Sequence, residues 1–195
     1  MNGIKLNLGC GENKLPDYIN VDNYGSPDIK HDLESFPWPW ETNSVSEILL
    51  IHVLEHLGKD TKVYFGIFKE MYRVCVKGAN INIIVPHYRH DFFYDDPTHV
   101  RVVTPLGLQL FSKKNNRFWI KEGNSNSPFG LYLDIDFELR KTIVKPSEHW
   151  FRLHPDRKNV DIKLLLQESA IYNNLIEQYD MTLEVIKSSN EQKVL

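Results

Sequence analysis

The chain has 195 residues, of which 42% are hydrophobic and 25% are charged, the composition of an ordinary globular protein. Its formal net charge of −3 excludes a general electrostatic attraction to nucleic acid or to anionic membranes. Two cysteines, Cys10 and Cys75, are too few for a disulfide framework, and no apolar run is long enough to span a bilayer. We therefore expect one cytoplasmic domain over residues 1–195, with neither nucleic acid nor membrane as a partner.

The first predicted element is a strand at 4–8 that runs directly into a glycine turn. Gly9 and Gly11 let the backbone turn sharply and approach a ligand closely, where a Cβ atom would collide. A second short apolar run, 18–22, ends in Asp22, whose carboxylate can accept hydrogen bonds from two ribose hydroxyl groups. Because the carboxyl ends of neighbouring parallel strands share one edge of a sheet, these residues predict a site for an adenosine-containing ligand.

The remaining regular elements alternate between strand and helix, as a parallel sheet requires. Apolar residues at helical spacing predict a helix from Asp60 to Val74, capped by the Asp60 side chain and ended by Lys77-Gly78. Alternating or continuous apolar runs predict further strands, at 27–31, 46–52, 80–86, 137–144 and 182–186.

Two stretches stand outside this alternation. Residues 87–130 are rich in aromatic residues and histidines with little periodicity, which is typical of a lid or a substrate loop. Residues 159–178 carry apolar side chains at helical spacing and predict a helical insertion before the last strand. We expect the two stretches to form a substrate pocket and its cover; the insertion could also form the surface of a homodimer.

Two motifs resemble those of the class I S-adenosylmethionine-dependent methyltransferases, in particular small proteins of the type 11 kind. They are Leu6-Asn7-Leu8-Gly9-Cys10-Gly11 and Val53-Leu54-Glu55-His56-Leu57, within a resemblance that covers residues 4–105. The resemblance implies an α/β, Rossmann-like fold in which a mostly parallel sheet is closed by an antiparallel pair, 137–144 and 182–186. It also implies S-adenosylmethionine as the cofactor.

The same resemblance indicates which residues bind the cofactor. Gly9 and Gly11 would face the methionine part of S-adenosylmethionine, Asp22 would face the ribose, and Asp32 with Leu33 would face the adenine. The full set of expected cofactor-binding residues is Leu8, Gly9, Cys10, Gly11, Asp22, Asp32, Leu33 and His52.

The spacing of this region disfavours a nicotinamide or flavin cofactor. Asp22 lies 13 positions after Gly9, whereas a dinucleotide fold places its acidic residue about 20 positions further on, after a full helix. Lys14 stands where the third glycine of that fold would be. We therefore expect a first crossover of only a turn or two, which suits a sulfonium cofactor because it has no phosphate to bind at a helix N-terminus.

Histidines follow the fourth and fifth strands, at the edge where the cofactor's methyl group is expected. The spacing of His52, Glu55 and His56 can bring all three to one side of a helical turn, and His87 and His99 come after the fifth strand. Three interpretations stay open: a divalent metal site, a general base at His52 or His56, and a structural role in which Glu55-His56 caps the local helix. We expect His52, His56, His87 and His99 to be the catalytic residues, with no bound metal.

The metal interpretation comes from a second resemblance. Small-RNA 2′-O-methyltransferases and ubiquinone-pathway O-methyltransferases resemble this region, with a Glu-x-x-Glu-His motif that binds a divalent ion. Here His52 replaces the first glutamate of that motif. The replacement would favour Zn²⁺ over Mg²⁺, because imidazole suits the former.

These features predict a methyltransferase that moves the methyl group of S-adenosylmethionine to an oxygen or nitrogen of a small molecule or sugar. Holding donor and acceptor in line can supply most of the rate, so a dedicated catalytic residue is not obligatory. Methylation of DNA bases is disfavoured because His52-Val53-Leu54-Glu55 occupies the place of the Pro-Pro-aromatic motif of those enzymes. The alternative is a non-catalytic regulatory module that binds a nucleotide or S-adenosylmethionine but has lost transfer.

Overall fold

Seven strands form one sheet in the computed structural model of this chain, which describes residues 3–156 and 159–188. The strands are β1 (Ile4–Leu8), β2 (Ile19–Asp22), β3 (Ile29–Lys30), β4 (Val45–Ile51), β5 (Cys75–Pro86), β6 (Phe137–Pro146) and β7 (Ile176–Val185). Their order in the sheet is β3-β2-β1-β4-β5-β7-β6. The first five pair in parallel, and β7 pairs antiparallel with both β5 and β6. The predicted α/β fold, with a mostly parallel sheet closed by an antiparallel pair, is confirmed.

The helices lie in the links that follow β4, β5 and β6. They are α1 (Thr61–Val74), α2 (Asp91–Tyr94), α3 (Pro105–Gln109), α4 (Lys113–Lys121), α5 (Phe129–Tyr132), α6 (Glu148–Leu153) and α7 (Ile162–Ser169), with a 3₁₀ turn at Leu54–His56. Among the described residues, no helix combines the length and the apolar character needed to cross a membrane.

The helix α1 forms where the spacing predicts it and covers one face of the sheet. The Asp60 carboxylate caps it by accepting a hydrogen bond from the Lys62 backbone N–H at 2.7 Å. Its apolar stripe is buried, and the ring of Phe68 stacks on that of Phe111 with 4.0 Å between centroids. The helix ends at Val74 as predicted, but Lys77-Gly78 is not what ends it, because β5 already begins at Cys75, where it pairs with β4.

In the described part of the chain, no helix from the links between the first four strands covers the opposite face of the sheet. The links 9–18, 23–28 and 31–44 contain no helix, in agreement with the short first crossover expected from the sequence. A row of polar contacts crosses the strands on this face: Lys5 pairs with Glu47 at 3.1 Å, Asn82 donates to Glu47 at 3.1 Å, and Thr182 donates to Asn82 at 2.9 Å.

The predicted helix at 159–178 is wrong beyond its first half. α7 ends at Ser169, Asn174 takes a positive φ of 62°, and the chain then enters β7. Residues from Ile176 onward pair with β6 and, from Gln178, also with β5, and the hydrogen bonds of two ladders outweigh a helical spacing of apolar residues.

The stretch 87–130 is more ordered than its sequence suggests. It contains α2, α3, α4 and the start of α5, and it contributes Val103, Leu108 and Phe111 to the main hydrophobic core. The residues after 102 therefore form a core-packed connection between β5 and β6. Only the residues near α2 lie next to the candidate functional site.

Candidate functional site

A cavity of about 520 Å³ opens at the carboxyl edge of β1, β2, β3 and β4. It is lined by residues that directly follow or end these strands, together with Thr98: Gly9, Asp22, Asn23, Tyr24, His31, Asp32, Leu33, Glu34, His52, Val53, His56, Leu57 and Thr98. Five of the expected cofactor-binding residues and two of the expected catalytic histidines thus meet in one cavity.

The glycine turn forms one wall of this cavity. Gly9 has a φ of +67°, and its backbone N–H donates to the Val21 carbonyl at 2.8 Å, which ties the turn to the end of β2. A Cβ atom on Gly9 would lie 2.4 Å from Cγ2 of Val53, so only glycine fits. Leu8 and Cys10 are buried on either side of Gly9 and support the turn from the interior.

The Asp22 carboxylate is held in place by backbone amides on both of its oxygens. Oδ2 accepts a hydrogen bond from the Gly11 N–H at 2.8 Å, and Oδ1 accepts one from the Tyr24 N–H at 2.9 Å. Each carboxylate oxygen can accept a further bond, so the group is fixed in orientation and still able to bind hydroxyl groups in the cavity. Gly11 therefore acts on the cavity through Asp22 rather than by lining it.

Asp32 and Leu33 form the opposite wall. The Asp32 carboxylate accepts the Glu34 N–H at 2.9 Å, and Leu33 is buried with its carbonyl accepting the Trp38 indole N–H at 3.1 Å. Glu34 in turn accepts the Gly58 N–H at 2.6 Å. These bonds fix a loop that presents one carboxylate and one apolar side chain to the cavity.

His52 and Glu55 lie at the end of β4, where the chain turns into the 3₁₀ segment. His52 has a φ of +55°, and its ring is half exposed in the cavity. Its Nδ1 is 3.5 Å from Oε1 of Glu55, whose carboxylate raises the pKa of His52 above its ordinary value. Glu55 is only 1% exposed, and among the described residues neither of its carboxylate oxygens has a hydrogen-bond partner.

His56 and His99 pack against each other beside this carboxylate, with 4.5 Å between ring centroids. The Thr98 hydroxyl donates to Asp96 at 2.6 Å, so the 2.8 Å contact between His56 Nδ1 and Thr98 is donated by the histidine. His99 Nδ1 lies 2.8 Å from a backbone carbonyl oxygen, which can only accept. In both rings the neutral tautomer therefore leaves the lone pair on Nε2.

Glu55, His56 and His99 bring three possible metal-ligand atoms close together. One donor atom from each of the three lies within 4.8 Å of the other two. A carboxylate and two imidazoles are the donors of many catalytic zinc sites.

His87 lies apart from this cluster. It is buried, its ring packs against Tyr179 with 4.9 Å between centroids, and its Nδ1 accepts the Arg89 N–H at 3.1 Å. Burial lowers the pKa of His87 to about 4, helped by the nearby positive charge of Arg89. An uncharged, enclosed imidazole of this kind supports the end of β5.

A second cavity, of about 550 Å³, lies at the same edge of the sheet near β5, β6 and β7. Its walls come from α2 and its flanks, from α6, and from the turn into β7; they include His90, Asp91, Glu148, Arg152 and Glu177. Residues from both 87–130 and 159–178, the two stretches expected to form a substrate pocket and its cover, line this cavity.

Several lining residues of the first cavity were not singled out from the sequence. Asn23 and Tyr24 directly follow β2, and His31 directly follows β3. Their positions after strands are the sequence signal that could have identified them. Thr98 is held near the cavity because the backbone N–H groups of Val100 and Arg101 donate to the Glu55 carbonyl at 2.9 and 3.0 Å.

The order of the strands and the position of the cavity identify the fold. A seven-stranded sheet in the order 3-2-1-4-5-7-6 with only β7 reversed among the described strands, and a cavity at its carboxyl edge, is the fold of the class I S-adenosylmethionine-dependent methyltransferases.

Comparison with solved structures supports this assignment of the fold. A SAM-dependent methyltransferase from Archaeoglobus fulgidus matches with a TM-score of 0.56 and 17% identity, over 94% of this chain and 86% of that one. One from Methanosarcina mazei matches with a TM-score of 0.51 and 12% identity, over 95% and 93%. The [4+2]-cyclase SpnF matches with a TM-score of 0.54 and 11% identity, over 95% and 76%. No family model and no curated protein matches the sequence.

Proposed function

We propose that this protein is an S-adenosylmethionine-dependent methyltransferase that acts on an oxygen or nitrogen of a small molecule or sugar. The observation that carries the proposal is the first cavity, where a glycine turn and an oriented Asp22 carboxylate meet at the carboxyl edge of a methyltransferase-type sheet. At about 520 Å³ the cavity has the size of a small-molecule site.

In this proposal, different residues bind different parts of the cofactor. Gly9 gives the methionine part close access to the backbone, Asp22 accepts hydrogen bonds from the ribose hydroxyls, and Asp32 with Leu33 borders the adenine. S-Adenosylmethionine, when bound, would supply an electrophilic methyl carbon, which an acceptor oxygen or nitrogen can attack with S-adenosylhomocysteine as the leaving group.

His52 is the residue best placed to accept a proton from the acceptor. Its Nδ1 side faces Glu55, so its Nε2 is free to take the proton of an acceptor O–H or N–H while the new bond to the methyl carbon forms. We assign recognition of the rest of the acceptor to the second cavity, because it lies at the same edge of the sheet.

The fold alone does not decide whether methyl transfer takes place, since one of the structures with this fold is named as a cyclase. The first test is calorimetry of the purified chain with S-adenosylmethionine, S-adenosylhomocysteine and NAD. We expect the first two to bind and NAD not to bind. Asp22→Asn should weaken binding by about 1.5–3 kcal/mol, because one charge-assisted acceptor is lost. Asp17→Asn, at an exposed carboxylate outside the cavity, is the matched control and should bind normally.

The second test measures transfer itself, with methyl-labelled S-adenosylmethionine and fractions of small-molecule extract. Conversion to S-adenosylhomocysteine that depends on one fraction would establish the enzyme. Tight binding without conversion in any fraction would favour the non-catalytic module, and the absence of cofactor binding would refute the proposal.

A further inference from the structure

We propose that a third cavity, which shares no described lining residue with the other two, binds a small aromatic carboxylate whose charged group pairs with Arg101. The cavity has a volume of about 180 Å³ and lies between α1 and the chain from Arg101 to Phe111, with Phe129 at its border. An apolar cavity of about 150 Å³ is enough to enclose benzene. This cavity therefore has room for a single ring that carries a carboxylate.

The walls of the third cavity are mainly aromatic. Tyr64 and Phe65 belong to α1, Phe129 belongs to α5, and Phe111 follows α3. The ring centroids of Phe65 and Phe129 are 4.8 Å apart, and the Phe111 centroid lies 6.3 Å from those of Tyr64 and Phe65. Aromatic rings pack favourably at such separations, so a further ring among them would gain contacts of the same kind. The walls thus favour an aryl ligand over a polar one such as a sugar.

Arg101 places a positive charge at this apolar cavity. It is the one charged residue among those that line the cavity in the described part of the chain. Its Cζ lies 4.5 Å from the centroid of the Tyr64 ring, and a terminal nitrogen of the guanidinium donates to the Gly58 carbonyl. These contacts fix the position of the guanidinium, and neither of them brings a negative charge to it.

The Nε atom of Arg101 is the observation that points to an anionic ligand. Arg101 is partly buried as a residue, but this nitrogen is fully buried and has no hydrogen-bond acceptor among residues 3–156 and 159–188. Leaving a buried N–H without an acceptor is costly, and most such groups in native proteins are partnered. A carboxylate can accept two parallel hydrogen bonds from one guanidinium, a geometry for which arginine is suited. An aromatic carboxylate would therefore supply both an acceptor and a negative charge.

The third cavity is attached to the segment that supports the first cavity. The Arg101 backbone N–H donates to the Glu55 carbonyl at 3.0 Å. Gly58, which accepts a bond from the Arg101 guanidinium, donates its own N–H at 2.6 Å to Glu34, a lining residue of the first cavity. The ligand would therefore bind beside the first cavity without occupying it, so the inference goes beyond the proposed function.

The test is isothermal titration calorimetry of the full chain with benzoate, and with benzyl alcohol as an uncharged counterpart. We expect one equivalent of benzoate to bind with a dissociation constant of about 1 mM or lower. Arg101→Gln should weaken benzoate binding by at least about 10-fold and leave benzyl alcohol binding nearly unchanged, because only the hydrogen bonds to a charged group are lost. Arg117→Gln, at an exposed arginine of α4 outside the cavity, is the matched control and should bind benzoate normally.

A second variant tests the location of the site. Val102 lines the cavity and is half exposed, so Val102→Phe can place a ring in the cavity without disturbing the core, and it should abolish the binding of both ligands. Thermal unfolding checks that the variants are folded, and saturating benzoate should raise the midpoint of the wild type and of Arg117→Gln but not that of Val102→Phe.

Three results would overturn the proposal. They are a wild-type dissociation constant for benzoate above about 10 mM, unchanged benzoate affinity in Arg101→Gln or Val102→Phe, and an equal loss of both ligands in Arg101→Gln. Because no measurement involves S-adenosylmethionine, this failure is distinct from a failure of the proposed function.

Discussion

The glycine turn allows a prediction whose magnitude can be worked out from the structure. In Gly9→Ala the new side chain must adopt a φ of +67°, which costs about 1–2 kcal/mol. Its Cβ would also lie 2.4 and 2.8 Å from the two methyl groups of Val53, and such overpacking costs about 1–3 kcal/mol more. We therefore expect Gly9→Ala to lower the free energy of unfolding by about 2–5 kcal/mol and to narrow the cavity.

Gly11 is the matched control, because its φ of +49° is also positive but a Cβ there meets nothing within 4 Å. Gly11→Ala should lose only the conformational part, about 1–2 kcal/mol. Urea unfolding followed by circular dichroism measures both variants. When Val53→Ala is added to Gly9→Ala, the double variant should lose less stability than the sum of the two single losses. When it is added to Gly11→Ala, the two losses should simply add. Equal losses in the two alanine variants, or no coupling between positions 9 and 53, would refute the argument.

Two further predictions concern stability. The pKa of His87 is lowered to about 4 in the folded chain, so the unfolded chain binds more protons between that pH and about 6.5. The free energy of unfolding should therefore fall as the pH decreases across this window, by at most about 3 kcal/mol. Urea titrations at pH 7 and pH 5 should show a smaller difference for His87→Asn than for the wild type. Phe111→Ala should cost about 3–5 kcal/mol, because this residue is buried in the main core, whereas a lid residue would cost little in the same unfolding assay.

Local signals were enough to predict the elements near the amino terminus. The run at 4–8 and the capped helix beginning after Asp60 are encoded by neighbouring residues, and both occur where predicted. The start of β5 is different, since Cys75 joins the sheet by pairing with Val45, thirty positions earlier. The same holds for Ile176, which joins β7 by pairing with Pro146 of β6 despite its helical spacing. Pairing partners at such distances leave no mark in a single sequence.

The residues of the candidate site also divide into those whose positions the sequence predicts and those whose positions depend on distant contacts. Gly9, Asp22 and His52 were predictable because residues at the carboxyl ends of adjacent parallel strands must meet at one edge. The position of His99 was not, because it depends on hydrogen bonds from the following residues to the Glu55 carbonyl. The burial of the Glu55 carboxylate also emerges only in three dimensions, since burial of a glutamate has no sequence signature.

The uncovered face of the sheet connects the short crossovers to the site. Parallel sheets are normally covered by helices on both faces, and their strands are then apolar throughout. Here β5 alternates, with Ile81 and Ile83 buried in the main core that also contains residues of α1, and Asn82 joined to the polar row on the other face. The strands thus supply polar groups where helices are missing, and the loops that replace those helices are free to form the cavity walls around Gly9 and Asp22. The crossover that is too short for a dinucleotide-binding fold therefore also shapes the cavity.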